Sequence, residues 1–265
     1  MSALRVVVIG CTGRMGAALL RAIASDPGLQ LVGAVSVPTD PRIGQDAGLA
    51  VGVEPLHVSI GTQVPLPCDV VLEFTAPLGC AAWADWCAEH GVPLVSGTTG
   101  LNDAQQARLQ AAGRRIPLVW APNMSVGVNV LLAIVRDLAR RLDASWDIEI
   151  VEAHHRRKID APSGTARALL EALSAGRGQR SADVAVYGRA GDCGPRPPGQ
   201  IGVHALRMGA LVGEHEVHFT SDAEALTIRH RAFARDTFAA GALRAARWVQ
   251  GRAPGLYDMQ AVLFS

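Results

Sequence analysis

The residues with the clearest capacity for chemistry lie in one run: Glu152-Ala153-His154-His155-Arg156-Arg157-Lys158-Ile159-Asp160-Ala161-Pro162-Ser163-Gly164-Thr165. Histidine titrates near neutrality, so His154 is a candidate proton donor at working pH. Lys158, four residues on, can neutralise an acidic substrate or give a second proton. Pro162 favours an extended residue before it, and Ser163 is a good helix cap. A helix starting there would present backbone N–H groups at Gly164 and Thr165, which suit a carboxylate or a phosphate. A histidine pair alone would read as a solvated surface feature. The whole constellation, ending at a capped helix start, reads as an active site for proton transfer to an anionic substrate.

A second cluster opens the chain. The apolar run Leu4–Ile9 leads into Gly10-Cys11-Thr12-Gly13-Arg14-Met15-Gly16, then into an Ala/Leu-rich helix. Glycines between a strand and a helix let the backbone approach a pyrophosphate at the helix N-terminus. The spacing is G-x-x-G-x-x-G, and a tight packing turn would also need glycine. The strand Leu29–Val35 follows, and its end is where an acid would hold the ribose hydroxyls of NAD. Ser36-Val37 stands there instead. The missing carboxylate favours NADPH, with Arg42 or Thr39 in reach of a phosphate, and leaves NADH open.

These clusters need elements to hold them. Strands are expected over residues 69–74, 93–96 and Pro117–Trp120. Helices are expected through residue 89, opened by Thr75-Ala76-Pro77, and over residues 103–112, with Trp83 and Trp86 in the core. Gly97-Thr98-Thr99-Gly100 and Ala121-Pro122-Asn123-Met124 then fall at strand C-termini, where an open α/β sheet binds ligands. Residues 38–66 read as a long surface connection. A helix over 126–142, a strand over 147–151 and a helix over 165–173 come next. Residues 176–200, rich in Gly, Pro and Arg, are expected to be mobile. Runs at 201–208, 214–219 and 225–230 have hairpin spacing. Asp236-Thr237 caps a last helix through residue 250, whose apolar face could return to the first half. The fold class is α/β: an N-terminal Rossmann-like doubly wound parallel sheet plus a C-terminal α+β domain for substrate and oligomerisation. The expected division is 1–125 with 236–265 and 126–235, with crossings near Ser125 and Arg235.

At 265 residues the chain can bury a full core, and half of it is hydrophobic. A formal charge of +1 gives no case for nucleic acid or an acidic membrane. No stretch approaches the roughly 20 apolar residues of a membrane span. Five cysteines without a Cys-x-x-Cys fit reduced thiols in a cytoplasm. Cys11 fills a tight turn and has no partner that marks it as a nucleophile. Glu214-His215-Glu216-Val217-His218 lacks the spacing of a helical zinc motif, and on a strand its histidines face opposite sides. No metal is expected. Ser163 lies outside a G-x-S-x-G elbow, so serine-hydrolase chemistry is not expected.

With both clusters in view, the chain resembles the bacterial 4-hydroxy-tetrahydrodipicolinate reductase (dihydrodipicolinate reductase) family over nearly its whole length. Gly13-Arg14-Met15-Gly16, Gly97-Thr98-Thr99-Gly100, residues 123–129, residues 152–166 and Val212-Gly213-Glu214-His215 carry the likeness. The resemblance implies reduction, with NADPH or NADH, of a cyclic dicarboxylate made from pyruvate and aspartate semialdehyde. The product is tetrahydrodipicolinate, on the route to lysine and diaminopimelate. It implies His154 as proton donor and Lys158 as a second catalytic cation. It places the substrate carboxylates on His155, Lys158, Ser163, Gly164 and Thr165. It places the cofactor on Gly10, Cys11, Thr12, Gly13, Arg14 and Met15, on Gly97, Thr98 and Thr99, and on Ala121, Pro122, Asn123 and Met124. Ser36 holds the place where many relatives carry an acid followed by a base. A homotetramer is also implied, and the domain boundary itself suggests closure of the two halves over cofactor and substrate. Another two-domain dehydrogenase acting on a sugar or semialdehyde would share the glycine turn without needing the paired histidines. A nucleotide sensor without turnover would need no proton donor.

Overall fold

The computed structural model describes residues 2–234 and 236–265. The N-terminal apolar run forms β1 (Leu4–Ile9), buried on both sides. Val6 and Val8 join one hydrophobic layer, Val7 and Ile9 the other. A strand covered on both faces has no polar side to show, so it reads as an unbroken apolar run.

The chain continues through α1 (Arg14–Ala24), β2 (Leu29–Val35), β3 (Ile60–Gly61), β4 (Val70–Glu73), α2 (Pro77–His90), β5 (Leu94–Ser96), α3 (Asp103–Gly113) and β6 (Pro117–Trp120). Helix α2 takes Pro77 at its start, where the missing N–H costs nothing. Asn102 and Gln105 cap α3 reciprocally. Then come α4 (Val126–Arg141), β7 (Asp147–His154), α5 (Gly164–Gly176), α6 (Ser181–Val184), β8 (Ala185–Tyr187), β9 (Ile201–Arg207), β10 (Gly213–Thr220) and β11 (Ala225–Ala232). The chain ends in α7 (Asp236–Trp248), β12 (Gly255–Tyr257) and α8 (Met259–Phe264).

Two compact units result, Met1–Val126 with Arg235–Ser265 and Gly127–Ala234. The first holds a parallel sheet of order β12-β6-β5-β4-β1-β2-β3. Strand order reverses at β1, between β2 and β4. That is the switch point where open α/β sheets leave a crevice at the strand C-termini. Ala239, Ala242, Leu243 and Ala246 of α7 enter the layer that also holds Leu19 and Leu20 of α1. Trp83 and Trp86 pack against the other layer, edge to face at 6.1 Å.

The second unit has a mixed sheet of order β11-β10-β7-β9-β8. Leu131, Val135, Leu169 and Leu173 of α4 and α5 cover one face over Ile148, Ile150, Val217 and Phe219. The doubly wound sheet and the α+β unit match the fold class expected from sequence.

Several details differ from the sequence reading. Strand β7 runs three residues further, to His154, because β10 pairs with it as far as Ala153 and β9 as far as His154. The runs at 201–208 and 214–219 do not pair with each other; β7 lies between them, and only β10 and β11 form a hairpin. Residues 176–200 carry α6 and β8, and β8 pairs parallel with β9. Strand β12 and helix α8, short and weakly periodic, follow α7. Strand β3 and a 3-10 turn at Leu49–Val51 interrupt the long connection after β2. The crossing expected at Arg235 lies outside the described residues. Asp236 is the first helical residue of α7 and puts a carboxylate in its first turn.

No helix among the described residues is long and apolar enough to cross a membrane. All five cysteines are unpaired, with Cys11, Cys80 and Cys87 buried.

The turn after β1 is under the tightest steric constraint. Gly10 has φ +74°, and a Cβ there would lie 2.6 Å from the Phe74 carbonyl oxygen. Gly10→Ala is therefore expected to destabilise the protein by about 2–3 kcal/mol, read by urea unfolding. Gly52→Ala, at φ +78° with nothing within 4 Å, should cost only about 1 kcal/mol, from the φ alone.

Candidate active site

On a strand, residues two apart share a face. Ile148, Ile150, Glu152 and His154 therefore all point to the covered face of the second sheet, and all are buried. The first two make core. The last two stand at the strand's C-terminal end and make a site. Pairing brings His215 of β10 opposite Glu152 and Arg207 of β9 opposite His154.

Glu152 is the centre. Its side chain is fully buried and accepts four hydrogen bonds. His154 donates through Nδ1 at 2.6 Å. Arg207 donates from both terminal nitrogens, each at 2.8 Å. The backbone N–H of Ser163 donates at 3.0 Å. Burial alone would raise the Glu152 pKa, but Arg207, His154 and Ser163 outweigh it and hold it below the ordinary value. Arg207 also donates to the Asp160 carbonyl oxygen at 2.6 Å, tying the intervening loop to the same knot.

With Nδ1–H committed to Glu152, the other ring nitrogen of His154 is the one that can exchange a proton with a ligand. It faces Gly213, where a Cβ would stand 3.0 Å away. Burial lowers the His154 pKa; Glu152 opposes this, Lys158 and Arg207 add to it, and the net shift is downward. The imidazole of the free protein is therefore neutral at neutral pH. His215 lies edge-on to it at 5.2 Å. Burial, followed by repulsion from His154, pushes His215 down to about 3, so it stays neutral. Its Nε2 is 3.1 Å from the Ser163 hydroxyl.

Ser163 caps α5 by accepting the Ala166 N–H at 3.2 Å. A Cβ on Gly164, the first residue of α5, would meet nothing within 4 Å, so the space before the helix start is open. Thr165 is next in that first turn. The Lys158 ammonium pairs with Asp160 at 2.9 Å, and its backbone N–H donates to the His155 carbonyl at 3.0 Å. The connection from β9 to β10 crosses the end of β7. Met208 donates its N–H to the His154 carbonyl at 2.9 Å, and the His155 N–H donates to the Leu211 carbonyl at 2.9 Å. His154, His155, Lys158, Ser163, Gly164 and Thr165 thus gather at one end of one sheet.

In the first unit, three loops lie at strand C-termini. Gly13 caps α1 without a side-chain bond, and the first turn carries no acid. Together with the turn at Gly10, this leaves an uncapped helix start that fits a pyrophosphate. Arg14 and Met15 begin the helix. Cys11 and Met124 have side chains in the core, 0% and 1% exposed, so only their main chains are available to a ligand. Gly97, Thr98 and Thr99 follow β5; the Trp120 indole donates to the Thr98 carbonyl at 2.9 Å. Ala121 donates its N–H to the Ser96 carbonyl at 3.1 Å, and Pro122 and Asn123 continue that loop.

Near Ser36 the structure corrects the sequence reading. No acid is adjacent in sequence, but the turn in which the Asp40 N–H donates to the Val37 carbonyl folds one back. Asp40 accepts the Ser36 hydroxyl at 2.8 Å and Arg42 Nε at 3.0 Å. Thr12 then donates to Ser36 at 2.8 Å, and Arg42 donates to the Thr12 carbonyl at 3.1 Å. Arg42, Thr12 and Ser36 hold the Asp40 carboxyl well below the usual range. A carboxylate and a guanidinium therefore both stand beside the glycine turn. Among the described residues no group of three His, Cys, Asp or Glu could hold a metal.

Residues 4–124 match the family model described as dihydrodipicolinate reductase, N-terminus, and residues 127–263 match its C-terminus. The chain belongs to the dihydrodipicolinate reductase family. The 4-hydroxy-tetrahydrodipicolinate reductase of Rubrobacter xylanophilus is 49% identical over 265 residues, covering 99% of each chain. A dipicolinate-bound dihydrodipicolinate reductase from Paenisporosarcina has a TM-score of 0.78 at 21% identity, covering 97% of each chain. GenD2 of gentamicin A biosynthesis, solved with NAD, has a TM-score of 0.58 at 14% identity, covering 94% of this chain and 86% of its own. The first unit of this reductase-family chain is a nucleotide-binding Rossmann domain.

The sequence reading gave no role to Glu152, Arg207, His215 or Asp40. For Glu152 a signal existed, since an acid two residues before His154 on a strand must share its face. Arg207 and His215 come from register, and Asp40 from a turn. Glu152→Gln leaves Arg207 without its buried partner, and is expected to destabilise the protein by about 3–5 kcal/mol in urea unfolding. Glu54→Gln, at an exposed site, should change stability by less than about 0.5 kcal/mol.

Proposed function

We propose that the chain reduces 4-hydroxy-tetrahydrodipicolinate to tetrahydrodipicolinate in lysine and diaminopimelate biosynthesis, with His154 supplying the proton. The reaction consumes one hydride and one proton and releases water. The observation that carries the assignment of roles is the Glu152–His154 pair beside the open, capped start of α5. It puts an orientable acid next to an anion site on one rigid sheet end. The 49% identical relative supports the substrate.

A reduced pyridine nucleotide supplies the hydride when bound. Gly10 to Met15, Ser36, Gly97 to Thr99 and Ala121 to Asn123 would hold it, with Cys11 and Met124 acting through their main chains. The Ser163 cap and the N–H groups at Gly164 and Thr165 favour one substrate carboxylate. Lys158 leaves Asp160 for the other, and His155 lines the same side. Hydride addition leaves an electron-rich carbon that needs a proton. The dianionic substrate favours the imidazolium, which the buried free site resists, so the acid forms where it is used. Glu152 keeps Nδ1 protonated throughout and aims the other nitrogen.

For the cofactor, Asp40 suits the ribose hydroxyls of NADH and Arg42 suits the extra phosphate of NADPH, so both serve. Arg42→Ala should raise KM for NADPH about tenfold and leave that for NADH within about twofold; Asp40→Asn should act on NADH. The uncovered face of the second sheet carries Glu149 among Arg189, Arg196 and His204, which supports an assembly surface for a homotetramer. A cytoplasmic enzyme is part of the same reading.

The test is initial-rate oxidation of each nucleotide, with substrate generated in place from pyruvate and aspartate semialdehyde by the preceding synthase. Oxidation that depends on both precursors is expected. His154→Gln should lower kcat by roughly 10²–10⁴ while nucleotide binding survives. Unchanged turnover in that variant would remove His154 from its role.

A further inference from the structure

Glu73 is the last residue of β4 and is fully buried. In register it pairs with Ile9 of β1 and Ser96 of β5, so it lies beneath the C-terminal ends of the central strands. Four donors surround it, one of them shared between its two oxygens. Thr75 donates its N–H at 2.7 Å and its hydroxyl at 2.5 Å. Ser96 donates at 2.6 Å, and the Thr98 hydroxyl stands 3.0 Å from both oxygens.

All of these donors are neutral, and among the described residues no cation pairs with Glu73. Glu152 has Arg207 and Asp40 has Arg42, but both Glu73 oxygens accept from neutral donors alone, the arrangement that suits a carboxylate. The buried Cys80 thiol, 3.2 Å from the Ser96 hydroxyl, is pushed up to about 12 by burial and then by Glu73. The Ser96 and Thr98 hydroxyls are buried, and they accept the Thr98 and Thr75 N–H groups at 3.3 and 3.1 Å. Thr75 is exposed at the crevice edge. The Glu73 carboxylate therefore underlies the half of the crevice on the β4–β5 side of the switch point. The pyrophosphate turn and the adenine side lie toward β2, which leaves this half to the nicotinamide.

We propose that Glu73 sets the charge under the nicotinamide half of the crevice and favours the oxidised over the reduced form of the bound cofactor. Loss of a hydride makes the nicotinamide ring cationic, so a fixed negative charge held without cations stabilises the ring as the hydride leaves. Preorganised by Thr75, Ser96 and Thr98, it costs no rearrangement during reaction. Glu73 is a positioning residue that acts through its field. This inference rests on the pyridine-nucleotide reading above.

The test is equilibrium binding of NAD⁺ and NADH, and of NADP⁺ and NADPH, to the full-length wild-type protein, Glu73→Gln and Glu73→Asp. Glu73→Gln should weaken the oxidised form about tenfold relative to the reduced form, since a poorly screened unit charge is removed. Glu73→Asp should keep the wild-type ratio within about twofold. Equal weakening of both forms by Glu73→Gln would make Glu73 a scaffold only and overturn the proposal. Should Glu73→Gln fail to fold, Ser96→Ala serves instead. It removes a donor that screens the carboxylate, and the preference for the oxidised form should rise about threefold; an unmoved ratio overturns the proposal. A wild-type protein that binds none of the four nucleotides removes the cofactor reading itself.

Discussion

A single buried carboxylate constrains the second unit. Glu152 accepts from the end of its own strand, from the neighbouring strand and from the start of the following helix. None of these groups is near another in sequence except His154. Each bond is modest by itself, but the cost of leaving any partner unsatisfied in a buried place is large. The knot therefore selects one register for β7, β9 and β10, and one entry angle for α5. The open anion site, the aimed imidazole and the loop across the end of β7 all follow from that choice.

The molecule treats its buried or half-buried carboxylates in two ways. Where the partner must be oriented and the charge removed, an arginine is supplied: Arg207 for Glu152, Arg42 for Asp40. Where charge is left in place, only hydroxyls and N–H groups are supplied, as at Glu73. The histidines show the same economy of charge. His215 is kept neutral by burial, so its contact with His154 adds shape and a hydrogen bond to Ser163 but no competing proton. His154 is pulled both ways, down by burial and up by Glu152, which leaves its protonation sensitive to an arriving anion.

Much of this was legible in the sequence, and the parts that were not have physical reasons. The first sheet could be read because both faces of β1, β4 and β5 are covered, and unbroken apolar runs between glycine turns have few other solutions. The His154–Thr165 run could be read because its residue types have few structural uses together. Strand β12 and helix α8 were missed because three- and six-residue elements carry almost no periodicity. The neighbours of β7 were misread because hairpin spacing between 208 and 213 suits a crossing over a third strand equally well. Asp40 was missed because a turn, and not adjacency, brings it to Ser36. Arg207 was missed because a cross-strand partner is defined only once register is known.

The central claim is that Glu152 holds His154 as a neutral, Nδ1-protonated imidazole whose other nitrogen waits for a substrate-driven proton. Nitrogen NMR of selectively labelled histidine, followed from acid to alkaline pH in the ligand-free protein, reads this directly. The account predicts a His154 ring that titrates below the ordinary histidine value of about 6.5 and is protonated on Nδ1 at neutral pH. A ring that titrates at or above that value, or that carries its neutral proton on Nε2, would contradict it.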